Sequence, residues 1–199
     1  MFSERVQSRV EARDSTRRKV LAAAERLFRA QGFAATTVRQ IAADAGVSTG
    51  SVMAVGDKDA LLVAVFDEWI GAVHRARGEG GELPEAPGEA VMALFEPFIV
   101  YFAQDPGLSR EYSSIIVRGT HESAIFAELA LALVAEIENV LAGTGLDRAE
   151  AARRARIVYF AYLGIVMTAG NQAAVGGSPL EQLREVIGFA LSGPADGNH

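Results

Sequence analysis

The chain has 199 residues, half of them hydrophobic, and a formal net charge of −6; that length can bury one ordinary core, or a small core and a larger one. It has no cysteine, which excludes disulfides, thiolate catalysis and cysteine metal sites, and His74, His121 and His199 are too far apart in sequence to form a local ligand pair, so neither metal nor cofactor is expected. No apolar run reaches the ~18 residues of a membrane span and the charged N-terminus lacks a signal core, so a soluble cytoplasmic protein with no membrane partner is expected.

The charge is unevenly placed. Residues 1–58 hold 10 Lys/Arg and 6 Asp/Glu, a net of +4, whereas residues 59–199 hold 9 and 19, a net of −10. A basic head on an acidic body is the charge map of a protein that binds a polyanion with one end, although chance clustering of solvated charge gives the same totals.

The elements read as helices almost throughout. From Ser15 to Ala30 the apolar positions Val20, Leu21, Ala24, Leu27 and Phe28 form one stripe, with Asp14 or Ser15 as cap and Gly32 as stop. Thr37 and Gln40 have the spacing of a capping box for a second helix, with Val38, Ile41 and Ala42 facing inward. Gly46 breaks that helix, and Ser48 caps a third running to about Val55. Asp57 caps a long fourth, Lys58 to about Arg77, whose apolar face holds Leu61, Leu62, Val65, Phe66, Trp69, Ile70 and Val73. A Gly-, Pro- and Glu-rich loop, 78–89, follows. Further helices are predicted at about 89–103, 107–118, 121–142, 147–170 and 179–192. Pro106 and Pro179 suit first helical positions, and Ser178 with Glu181 repeats the capping-box spacing. No segment alternates with period two. The fold class is therefore all-α, with a basic extension at 1–14, a helix-turn-helix domain at 15–57, a larger helical domain at 58–192 and a tail at 193–199.

The second and third helices, joined across "DAGVS", describe a helix-turn-helix. The stretch from "RRKVLAAAERLFRAQGFAATTVRQIAADAGVS" through "TGSVMAVGDKDALLVAVFDEW", roughly residues 15–69, resembles the tetracycline-repressor (TetR) family of transcriptional regulators. The resemblance implies a homodimer with two DNA-binding heads, a ligand pocket in the larger domain, and release of double-stranded operator DNA when a small-molecule effector binds. It also exposes a departure. The family's usual lysine near position 49, aromatic near 53 and aromatic–histidine–aromatic run before the fourth helix are replaced by Thr49, Met53 and Ala54–Gly56.

Replacement contacts are available. Arg17 and Arg18 open the first helix, Arg39 lies on the second, and Arg5, Arg9 and Arg13 recur every four residues ahead of them, as one helical face or a flexible arm. Thr36, Thr37, Ser48, Thr49 and Ser51 carry hydroxyls for phosphates, and Lys58 opens the fourth helix. Base reading falls to Thr49, Ser51 and Met53, with the methyl groups of Thr49 and Met53 directed at thymine.

In the larger domain, Trp69, His74, Met92, Phe95, Phe98, Phe102, Tyr112, Ile116, Tyr162 and Met167 are the expected lining of an effector pocket. Tyr101, Asn171 and Gln172 are further polar anchors. For any one of these residues plain core packing is the alternative. By the resemblance, the last two helices are the expected homodimer contact: Ala155–Gly170 is apolar nearly all round, and Val186, Ile187, Phe189, Ala190 and Leu191 make the last helix amphipathic, with packing inside a monomer as the alternative. A ligand-responsive repressor on an inverted-repeat operator is the leading function; a small-molecule-binding adaptor that has lost DNA binding is the alternative. With no phosphate loop, no HExxH and no cysteine, an enzyme is not expected.

Overall fold

The computed structural model describes residues 2–78, 83–121, 123–168 and 177–192. Among these residues there are helices and no strand: α1 (Phe2–Gln31), α2 (Val38–Ala45), α3 (Thr49–Val55), α4 (Lys58–Gly78), α5 (Pro87–Gln104), α6 (Pro106–Arg118), α7 (Ala124–Ala142), α8 (Arg148–Thr168) and α9 (Pro179–Leu191). The chain divides into two compact units, Met1–Trp69 with Glu111–Ser123, and Ile70–Arg110 with Ala124–His199. Both α4 and α6 therefore contribute residues to each unit.

The first unit is built on α1, α2, α3 and the start of α4. Val20, Leu21, Ala24 and Phe28 of α1 are buried with Ile41 and Ala42 of α2, Val52 of α3, and Leu61, Leu62 and Phe66 of α4. From α6 this unit takes Tyr112, whose ring stacks on Phe66 at 4.3 Å between centroids, and the buried Ile115. The main difference from the sequence expectation is the start of α1, which is continuous from Phe2 and does not begin near Ser15. Asp14 and Ser15 pass through the helix interior without capping anything. A capping residue costs only a few tenths of a kcal/mol at a solvated mid-helix position, so its presence does not force a start.

The second unit packs α7 on α8, α8 on α9 and α5 on α9. Its core holds Val91, Leu94, Phe95, Phe98 and Ile99 of α5, Leu133, Ile137 and Leu141 of α7, Ala155, Val158 and Tyr162 of α8, and Leu183 and Ile187 of α9. The Ser178–Glu181 capping box is formed, with Pro179 in the first turn. Pro97 lies inside α5, where its missing N–H leaves the Ala93 carbonyl without an intrahelical donor. No helix among the described residues is long and apolar enough to cross a membrane. Asn171, Gln172 and the tail at 193–199 lie outside the described residues.

Candidate nucleic-acid interface

The turn between α2 and α3 is set by one glycine. Gly46 takes φ 67° and ψ 35°, and its N–H reaches back to the carbonyls of Ala42 and Ala43. The N–H of Val47 also donates to Ala42 at 3.0 Å. The α2 start is a closed capping box, in which the Gln40 N–H donates to Thr37 Oγ1 at 3.3 Å and the Thr37 N–H donates to Gln40 Oε1 at 2.8 Å. Ser48 caps α3 by accepting from the Ser51 N–H at 3.0 Å, and the two serine hydroxyls are hydrogen-bonded at 2.9 Å. With Val52 buried against the core, α3 turns Thr49, Gly50, Met53 and Ala54 to solvent, Met53 at 53% exposure.

The hydroxyls and cations singled out in the sequence fall into two groups. Thr36 is buried at 1% exposure; its hydroxyl donates to the Gly32 carbonyl at 2.8 Å and accepts from Gln31 Nε2 at 3.2 Å. Thr37 is held by Gln40 on both sides. Lys58 is turned inward upon Phe33, donating to its carbonyl at 3.0 Å with the ammonium 4.3 Å from the ring centroid. These three hold the scaffold together. Arg17, Arg18 and Arg39, by contrast, are exposed, as are Ser48 and Thr49, with Ser51 half-buried.

Between α1 and α3 lies a cleft of about 340 Å³, lined by Ala12, Arg13, Asp14, Thr16 and Arg17 on one side and Ser51, Ala54 and Val55 on the other. Its basic wall exists because α1 extends past Ser15; Arg13 and Arg17, four apart on an unbroken helix, share a face. That spacing is legible in the sequence once the arm is taken as helical. The side chains of Arg5 and Arg9 lie outside the described residues.

A second set of polar contacts ties the first half of α4 to the end of α6 and the segment that follows it, and the sequence offered no signal for it. Arg118 pairs with Asp59 at 3.1 Å, and His121 Nε2 lies 3.4 Å from Asp57 Oδ1. Asp57 also caps α4 through the Ala60 N–H. The Ser123 hydroxyl donates to Asp67 at 2.6 Å. Burial pushes the Asp67 carboxyl above the ordinary range, against the opposing effects of the Ser123 hydrogen bond and the Arg17 guanidinium.

The residues expected to line an effector pocket are divided between the units. Trp69, Tyr112 and Ile116 belong to the first, whereas His74, Met92, Phe95, Phe98, Phe102, Tyr162 and Met167 belong to the second. In the second unit, Met92, Phe95, Phe98, Phe102 and Tyr162 are buried, and the Phe95 and Tyr162 rings lie 4.4 Å apart. Nδ1 of His74 is buried with no hydrogen-bond partner. Burial also raises the phenol of the neighbouring-turn Tyr159 to about 12.

Residues 20–65 match the family model for bacterial regulatory proteins of the tetR family. No curated protein matches the sequence. Several solved structures are similar over nearly the whole chain. Thermus thermophilus FadR, a TetR-family transcriptional repressor in complex with lauroyl-CoA, is 23% identical, with a TM-score of 0.65 over 92% of this chain and 100% of that one. A TetR transcriptional regulator from Rhodococcus sp. RHA1 is 18% identical, with a TM-score of 0.66 over 92% and 98%. BioQ, solved with its natural double-stranded DNA operator, is 20% identical, with a TM-score of 0.56 over 88% and 97%. At these identities the likeness shows a TetR-like fold, a helix-turn-helix head followed by a larger helical part.

Proposed function

We propose that this chain, whose head is a TetR-family helix-turn-helix domain, is a ligand-responsive DNA-binding transcriptional regulator that acts as a repressor. The observation that carries the reading is α3 itself. It is capped, fixed by the Gly46 turn and buried at Val52, yet its Thr49–Met53 face is left uncovered. A helix anchored on one side and open on the other is what insertion into a major groove requires. Arg17, Arg18 and Arg39, with Arg13 beside Arg17 on the α1 wall of the cleft, supply cations for the flanking phosphates. Thr36 and Lys58 serve the interface indirectly, by holding the scaffold that presents α3.

Two heads are needed, because one short helix reads few base pairs. Phe160 of α8 and Phe189 of α9 are 66% and 80% exposed, and Ile157, one turn before Phe160 on α8, is 52% exposed. Apolar side chains this open on two packed helices favour a homodimer through α8 and α9. The operator is then an inverted repeat. FadR is described with lauroyl-CoA and BioQ with operator DNA, and both support the same division of labour here. The effector is a hydrophobic or aromatic small molecule held in the second unit. Phe95, Phe98 and Tyr162 are buried aromatics there that a ligand would contact by opening the core, and His74 Nδ1, buried without a partner, is a polar anchor. It acts by binding one of two arrangements more tightly than the other, with α4 running from the head into the effector unit as the lever. No catalytic step belongs to this reading.

The absence of any charged side chain from α3 favours one competing reading, an adaptor that binds small molecules and no DNA. The test is binding of the purified protein, across a salt series, to DNA flanking its own gene and to a random pool. Enrichment of one sequence, with affinity falling steeply as salt rises, is expected. No enriched sequence from the random pool would leave the adaptor.

A further inference from the structure

We infer that this head reads thymine methyl groups, so that its half-site is built on thymines rather than guanines; the inference rests on the DNA-binding reading above. In the major groove each base offers particular partners. Guanine is read by the paired donors of Arg or Lys, adenine by the amide of Asn or Gln, and thymine alone offers an apolar C5-methyl. The α3 sequence, TGSVMAV, contains none of those charged or amide side chains. Gln40, the amide nearest in sequence, is held in the α2 capping box.

The hydroxyls of this region are also largely committed. Ser48 accepts from the Ser51 N–H, and the two serine hydroxyls are bonded to each other. Ser51 is half-buried beside the α1 cleft. What remains open is the Thr49 side chain, the bare backbone of Gly50, the Met53 thioether and the Ala54 methyl. Thr49 and Met53 are four apart and share a face, as do Gly50 and Ala54. Gly50 has an ordinary backbone conformation, and a Cβ added there would meet only Ser48 Oγ at 3.6 Å. Neither strain nor crowding within the protein calls for glycine at this position. Its effect is outward, lowering the profile of α3 beside Met53 so that a base edge can approach closely. Apart from the single Thr49 hydroxyl, the reading surface is therefore low, apolar and polarisable, and it complements a methyl group better than a hydrogen-bonding edge. The arginines outside α3 add affinity without adding sequence information.

The experiment begins with the full-length protein and a sequence selected from random DNA. Each thymine of that duplex is replaced in turn by deoxyuridine, which removes only the C5-methyl. Affinity is expected to fall roughly fourfold for each methyl in contact, at the same one or two positions in both half-sites. Met53→Ala and Thr49→Ser change exposed side chains, so both should fold, as helical circular dichroism would verify. At the contacted positions they should bind the thymine and uracil duplexes alike, with the salt slope unchanged. Three results would overturn the inference: unchanged affinity after every uracil replacement, a methyl effect that persists in both variants, or a site whose binding collapses only on 7-deazaguanine substitution. Failure of the selection to enrich any sequence would remove the DNA-binding reading as well, and so separates the two.

Discussion

Gly46 is the residue on which the orientation of α3 turns. Its φ of 67° lies in the left-handed region, and a Cβ there would meet no atom within 4 Å. The cost of a side chain is therefore one of backbone conformation alone, without a clash. Gly46→Ala is expected to lower stability by about 1–2 kcal/mol, read as a lower urea midpoint at unchanged m-value. Gly46→Asn should lose less, since asparagine tolerates this region better. Equal losses for Ala and Asn would mean that crowding, not backbone angle, sets the cost. Asp67 presents a different balance. Burial raises its carboxyl, so over the window from 3.8 up to that raised value the folded chain holds a proton that the unfolded chain has lost. Stability from this group therefore falls as pH rises through the window, and the whole penalty is present above it. Asp67→Asn keeps an acceptor for the Ser123 hydroxyl and removes the charge. It should raise the melting temperature at neutral pH and change it little near pH ~3, below the ordinary carboxylate range. An equal gain at both pH values would show that the charge is not the cause.

Among the elements, the end of α9 is tied to α8 by Arg154. Arg154 of α8 donates through Nη1 to the carbonyls of Ala190 and Ser192, at 2.8 and 2.6 Å, while its Nε pairs with Glu150 at 2.6 Å. The C-terminal carbonyls of a helix have no intrahelical donors, and a cation there is also attracted by the negative end of the helix dipole. Arg154→Met keeps the apolar stem and removes the donors. It should cost about 2 kcal/mol, with early hydrogen exchange confined to the last turn of α9; a uniform loss of protection would argue against an end clamp. Nothing in the sequence marks this contact, because Arg154 and Ser192 are 38 residues apart and neither belongs to a local motif. The same limit applies at the head. The capping boxes at Thr37 and Ser178, the Gly46 turn and the boundaries of α3 were legible because their causes lie within four residues. The start of α1 was not, since Asp14 and Ser15 are compatible with both a cap and a solvated helix interior. Lys58 stands out in the sequence as a cation, but the Phe33 carbonyl and ring that occupy it lie 25 residues away. For that reason local pattern found the helix-turn-helix, while which of its side chains are left exposed emerged only with the tertiary packing.

At the scale of the whole molecule, the proposed function depends on two copies acting together. The apolar surface left open on α8 and α9 comprises Ile157, Phe160 and Phe189, and the two phenylalanines lie mostly outside the core. Replacing them should therefore leave the monomer folded. Phe160→Glu with Phe189→Glu places two charges on the proposed contact, each of which a dimer would have to desolvate beside its symmetry mate. The expected result is a monomer by analytical ultracentrifugation, with helical content and head stability close to those of the parent. Operator affinity should then drop far more than either head's intrinsic contacts would require. In a dimer the second head binds at the high effective concentration set by the first, an advantage on the order of 10²–10⁴ that a monomer forfeits. Binding to a single half-site, by contrast, should be nearly unchanged, because α3 and the arginines around it are intact in the variant. A monomer that kept full operator affinity would show that the two heads are not coupled through α8 and α9. A variant that stayed dimeric would place the contact on another face, and the open aromatics would need a different partner.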